Sequence, residues 1–192
     1  FATADEDNFF GKFPDSEPAP GRTENTMGGV LWMNWRLAAS GYAAVWAREN
    51  TREALFDAME RREVYATTGP RMLVRLFGGW EFESADANTR FPAVAGYAKG
   101  VPMGGELSDA PNGKAPTFLV SALKDPIGAN LDRYQIVKGW LDSDGELHEK
   151  VYDVVWSGGR VPDTKTGKLP PVGDTVDIEN ATWTNSIGSS MV

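Results

Sequence analysis

The stretch Gly41-Tyr-Ala-Ala-Val-Trp-Ala-Arg-Glu-Asn-Thr-Arg-Glu-Ala-Leu-Phe-Asp-Ala-Met59, running on to Tyr65-Ala-Thr-Thr-Gly-Pro-Arg71, reads as a loop, a capped helix and a turn into a strand. The helix is expected from Thr51 to about Glu63. Asn50 is the expected N-cap, with Glu53 three residues later, where its carboxylate can reach back to the cap. Ala54, Leu55, Ala58 and Met59 recur at helical spacing as one apolar stripe. Arg61 and Arg62 are expected in the last turn, where positive charge suits the helix dipole. Gly69 and Pro70 cannot continue a helix, so the pattern breaks there.

Upstream, residues 1–29 are rich in Pro, Gly, Asp and Glu and carry no sustained period. They are expected to form a long loop anchored by Phe9, Phe10 and Phe13. Residues 30–47 are expected to form a short helical or irregular segment. Downstream the period changes to strands: Met72 to Phe77, with Trp80-Glu-Phe82 continuing beyond a bulge, then Thr117 to Leu123, Arg133 to Leu141 and Leu147 to Trp156. Asp142-Ser-Asp-Gly145 is a strong hairpin signal between the last two. Bulk on both faces of Leu147–Trp156 predicts a central strand. Asp174–Ile178 and Ala181–Ile187 supply later strands, and an edge strand is expected to be missing after Val192. Many short strands between Gly and Pro turns indicate a sandwich or barrel-like β module.

Seven Trp, nine Phe and five Tyr provide enough bulk for a real core. A net charge of −8 argues against phosphate-driven nucleic-acid binding, which needs a basic patch. No apolar run approaches the ~20 residues that span a bilayer. The start at Phe1, with no basic-then-apolar leader, fits an internal fragment or a processed product.

The chain holds a single imidazole, His148, and no cysteine, so a zinc or iron centre cannot be assembled from the usual donors. His148 is expected on an exposed or edge strand. Asp142-Ser-Asp-Gly-Glu146 matches the first half of a calcium loop, but the distal bidentate Glu is not at the required spacing. A hairpin turn explains the same residues. Tyr65-Ala-Thr-Thr-Gly69 beside Arg71 can hold an anion through backbone N–H groups and the guanidinium, or simply connect helix to strand. No serine-nucleophile elbow occurs.

Several segments in order carry a resemblance: Gly41–Ala47, Thr51–Ala58, Val64–Arg71, Phe77-Gly-Gly-Trp80, Gly100-Val-Pro-Met-Gly-Gly105, Leu131–Trp140 and His148–Asp153. They resemble a bacterial domain-of-unknown-function family related to the polymerase-and-histidinol-phosphatase (PHP) metal-dependent hydrolases. The resemblance implies a mixed, mainly β chain. An antiparallel β-sandwich-like C-terminal domain, residues 71–192, would follow the closing loop and helix of a PHP-like distorted β/α barrel, residues 1–70. It implies a C-terminal fragment, inactive alone and without cofactor. The divalent metal would sit in an upstream N-terminal barrel segment that is this chain's partner. It also implies an exported, periplasmic parent, but no particular substrate. The first expectation for the whole chain is the non-catalytic part of a metal-dependent hydrolase of phosphoester or related bonds. Barrel loops gather at one end, so Asn8, Lys12, Thr68 and Arg71 are expected to border the pocket and contact substrate. The plainer expectation is that Lys12 is solvated and that Arg71 pairs with a carboxylate such as Glu63. The alternative for the whole chain is a non-catalytic β-sandwich that binds or packs within an envelope protein.

Overall fold

The computed structural model describes residues 24–27, 30–33, 41–108 and 110–191. The chain divides into two compact units, Phe1–Gly41 and Tyr42–Val192. The described residues are mainly in short antiparallel strands.

In the first unit, β1 (Glu24–Met27) pairs antiparallel with β2 (Val30–Met33), with Asn25 opposite Trp32. This corrects the reading of residues 1–29 as loop throughout and of Val30–Met33 as helical or irregular. The sequence signal was Gly28-Gly29 between two short runs, a pair that favours a two-residue hairpin.

In the second unit, β3 (Tyr42–Val45) pairs with β4 (Val64–Thr67), and helix α1 (Arg52–Glu60) connects them. The helix starts one residue later than expected. Thr51 is the N-cap, in extended conformation, and its hydroxyl accepts from the Ala54 N–H at 3.3 Å. Arg61 is the C-cap and Arg62 takes a φ of 60°, so neither belongs to the last turn. The helix stops early because Val64–Thr67 gain a full set of ladder partners on β3. Ala58 is fully buried, while Met59 and Phe56 are exposed, so the apolar stripe is narrower than its sequence spacing suggested.

Strand β5 (Leu73–Gly79) lies between β6 (Gly100–Pro102) and β7 (Thr117–Leu123). Trp80-Glu-Phe82 does not extend β5. The chain turns instead into α2 (Ser84–Ala87) and α3 (Pro92–Lys99), neither of which was expected. Their signals are reciprocal Glu83–Asp86 capping and Pro92 in the first helical turn. Phe77 of β5 is the one large side chain wholly buried among the described residues, and Ala122 and Leu119 of β7 are buried with it.

Strands β8 (Arg133–Leu141) and β9 (Leu147–Trp156) match their expected bounds and form a hairpin with Asp142–Gly145 at the tip. Among the described residues strand β9 pairs only with β8, so it is not central there. A register shift at Tyr134/Gln135 re-aims its base. Beyond it Val137 faces Val151, Lys138 faces Lys150, and Leu141 faces Leu147, mostly exposed. Strands β10 (Val176–Asp177) and β11 (Thr182–Trp183) form a much shorter hairpin than their sequence runs implied. No helix among the described residues is long and apolar enough to cross a membrane.

Candidate functional site

Charged and aromatic side chains from four segments meet at one cleft. The chain leaves β3 at Trp46, whose N–H donates to the Glu63 carbonyl at 3.0 Å just before β4 begins. This bond sets Trp46 beside Glu63 across the open end of the β3–β4 ladder. Arg75 comes from β5 and Tyr97 from α3. The cleft they share with α1 encloses about 850 Å³, and Arg48, Glu53 and Asp57 stand at its rim.

Glu63 is only 3% exposed, and both of its carboxylate oxygens are engaged. Oε1 accepts from Arg75 Nη1 at 3.2 Å and from the Tyr97 hydroxyl, and Oε2 accepts from Arg61 Nη2 at 3.3 Å. Arg75 Nη1 also donates to the Tyr97 oxygen at 2.9 Å, which closes a three-membered ring of polar contacts. The Arg75 guanidinium lies over the Trp46 indole, 3.4 Å from the ring centroid. The indole N–H is held by the Val74 carbonyl at 3.0 Å, which fixes the ring beneath that cation. Burial, and then the hydrogen bond to Glu63, raise the Tyr97 phenol above its ordinary value, so it remains a proton donor at neutral pH.

A buried carboxylate beside two guanidiniums and a phenol is the arrangement an acid–base site would use. Here every oxygen of that carboxylate already has an internal partner. The cluster therefore ties together the end of α1, the start of β4, β5 and α3, and Arg48, Glu53 and Asp57 line the cleft beside it.

Thr68 and Arg71, expected from sequence to contact substrate, do not line the Glu63 cleft. Asn8 and Lys12 fall outside the described residues. Thr68 is exposed, and it is its neighbour Thr67 whose hydroxyl accepts from the Tyr42 N–H at 3.2 Å. Arg71 does not pair with Glu63, because Arg61 and Arg75 occupy that carboxylate. Its side chain instead meets Tyr42, with Nε donating to the hydroxyl at 3.4 Å. At the end of the turn the Arg71 backbone, not its guanidinium, meets the carboxylate of Asp125. The Arg71 N–H donates to Asp125 Oδ2 at 2.6 Å and the Ile127 N–H to Oδ1 at 2.9 Å. These two bonds, Arg71 first, hold the Asp125 carboxyl below the usual range.

His148 sits on β9 near the hairpin tip. Its Nε2 lies 2.6 Å from Asp142 Oδ2, and its ring stacks on Trp140 with centroids 5.3 Å apart. Asp142 Oδ1 accepts the N–H groups of Asp144 and Glu146, both at 3.0 Å. The acidic run is thus engaged in closing the turn. Among the described residues no three His, Asp or Glu side chains converge on a metal position.

Trp46, Glu63, Arg75 and Tyr97 were not singled out together in the sequence. One signal was available: Arg75 is the lone charge within Leu73-Val-Arg-Leu-Phe77, and a cation in an apolar strand needs a partner nearby.

No curated protein and no solved structure is detectably similar to this chain. One family model does match, and it covers residues 1–192. The chain belongs to the family described as protein of unknown function (DUF3604).

Proposed function

We propose that this chain is the non-catalytic C-terminal part of a PHP-like metal-dependent hydrolase, in which residues 1–70 close a barrel and residues 71–192 form a sandwich-like accessory domain. The divalent metal and the reacting groups would come from an upstream segment, and the parent would be exported. The observation that carries this reading is the saturation of Glu63. A general acid or base must have an oxygen available to substrate or water. The carboxylate best placed for that role bridges Arg61, Arg75 and Tyr97 instead.

The test compares this polypeptide with a longer protein that includes the upstream segment. Both are loaded with manganese, zinc or iron and assayed on p-nitrophenyl phosphate and bis-p-nitrophenyl phosphate. Chelator-sensitive turnover is expected only in the longer protein, together with intact His and Asp clusters upstream. Such turnover by this chain alone overturns the reading.

A second reading, a binding or packing module with no catalytic parent, is supported by the β8–β9 hairpin. Val137, Leu141, Leu147 and Val151 are 49–83% exposed on one of its faces, a patch suited to contact with another surface. Substituted metal-ligand positions upstream would favour it.

A further inference from the structure

Away from the Glu63 cleft, a second cavity of about 330 Å³ opens where the β10–β11 hairpin meets the segment around Asn130. This volume lies at the small end of the ~300–1,000 Å³ typical of small-molecule sites. Val172, Val176 and Ile187 contribute apolar surface, and Trp183 lines the cavity while remaining 58% exposed. The indole offers a flat apolar face with a polar N–H at its edge.

The polar groups around that indole are fixed by the backbone. The Asn130 amide donates both hydrogens inward, to the Asn185 carbonyl at 3.0 Å and the Ile187 carbonyl at 2.8 Å. The Asn185 side chain answers, with Oδ1 accepting from the Asn130 N–H at 2.8 Å and Nδ2 donating to the Gly128 carbonyl at 3.1 Å. With its N–H groups engaged, the Asn130 amide keeps its oxygen as an acceptor. Asp174 Oδ1 accepts from the Val176 N–H at 2.8 Å, which leaves Oδ2 as a second acceptor. The indole N–H of Trp183 is a donor without an acceptor among the described residues. Among the described residues no Lys, Arg or His lines the cavity.

We infer that this cavity is a binding site for a neutral saccharide. The ligand must offer an apolar flat face to the indole and several hydroxyls at its edge to two acceptors and one donor. A pyranose ring does both, because its C–H groups lie on its faces and its hydroxyls around its rim. Anionic ligands are disfavoured, since Asp174 would repel them and no cation compensates. The Asn130–Asn185 clamp holds the acceptor in place before binding, which lowers the ordering cost. This inference stands apart from the hydrolase reading and holds whether or not the parent has a metal centre.

The experiment is affinity electrophoresis and calorimetry of the whole chain against neutral saccharides. The panel contains hexaoses of β-1,4-glucose, β-1,4-xylose, β-1,4-N-acetylglucosamine and α-1,4-glucose, with polygalacturonate, heparin and hexalysine as charged controls. At least one neutral hexaose is expected to bind, with Trp183→Ala weakening it tenfold or more and Trp183→Tyr by threefold or less. Asp174→Asn is expected to leave that binding within threefold, because an amide oxygen still accepts. Circular dichroism melts check that the variants fold, which exposure of Trp183 favours. The inference is overturned if no neutral member binds, if a charged control binds more tightly, or if Trp183→Ala binds as the parent does.

Discussion

Gly96 on α3 sits directly against the ring of Phe77, so closely that a β-carbon added at Gly96 would lie 2.6 Å from the ring carbons. No rotamer change rescues that contact, because Phe77 is wholly buried. Gly96→Ala must therefore push α3 off β5. We expect a loss of about 1–3 kcal/mol, the usual cost of overpacking a filled core. Thermal melts of the variant should fall by several degrees, and an unchanged midpoint would contradict the packing described.

Arg75 holds Glu63 and caps Trp46 at once. Arg75→Met leaves the buried carboxylate with Arg61 and Tyr97 alone, and is expected to cost about 3 kcal/mol. Adding Glu63→Gln to Arg75→Met should recover part of that loss, since it removes the stranded charge. A double-mutant cycle reads the coupling, and strict additivity would mean that the two residues do not interact.

Acid should loosen the chain at Asp125. Its carboxyl is held below the ordinary value near 3.8, first by the Arg71 N–H and then by the Ile127 N–H. A depressed carboxyl contributes stability that is complete above its unfolded value and lost as pH falls through the folded one. The contribution should therefore fade below about pH 4. Asp125→Asn should flatten that part of the stability profile, whereas Arg71→Ala, which keeps the N–H, should preserve it. Chemical denaturation between pH 2.5 and 6 distinguishes the two.

Gly145 takes a φ of 82° at the hairpin tip, a conformation strained for a β-branched residue. Gly145→Val is expected to destabilise the β8–β9 hairpin by about 1–3 kcal/mol. Amide hydrogen exchange along β8 and β9 should accelerate while exchange in β5 does not. Uniform acceleration would mean that the hairpin does not open separately.

The parts of the fold legible in sequence were those determined locally. Strands β7, β8 and β9 follow from alternation and from a turn whose Asp and Gly do the turning. Strands β3 and β4 were read as loop and turn, because four residues each carry little periodicity and their pairing spans the whole of α1. Helix α2 is too short, at four residues, to show a period, and in α3 Gly96, a poor helix former, is set by the approach to Phe77 rather than by local preference. The Glu63 cluster was hidden for a similar reason: its members lie up to 51 positions apart, at Trp46 and Tyr97, and only folding brings them together.

The opposed lysines of the β8–β9 hairpin bear on how the chain behaves when crowded. Strands added in register to a sheet edge repeat every ~4.8 Å, so a second hairpin joining the first would bring its own Lys138–Lys150 pair alongside. Like ammonium groups at that spacing repel. The Val137–Val151 and Leu141–Leu147 pairs would favour such growth, while the lysines between them oppose it. Replacing both lysines by threonine is expected to increase edge-to-edge assembly, read by light scattering, and unchanged scattering would mean that the pair does not guard the edge.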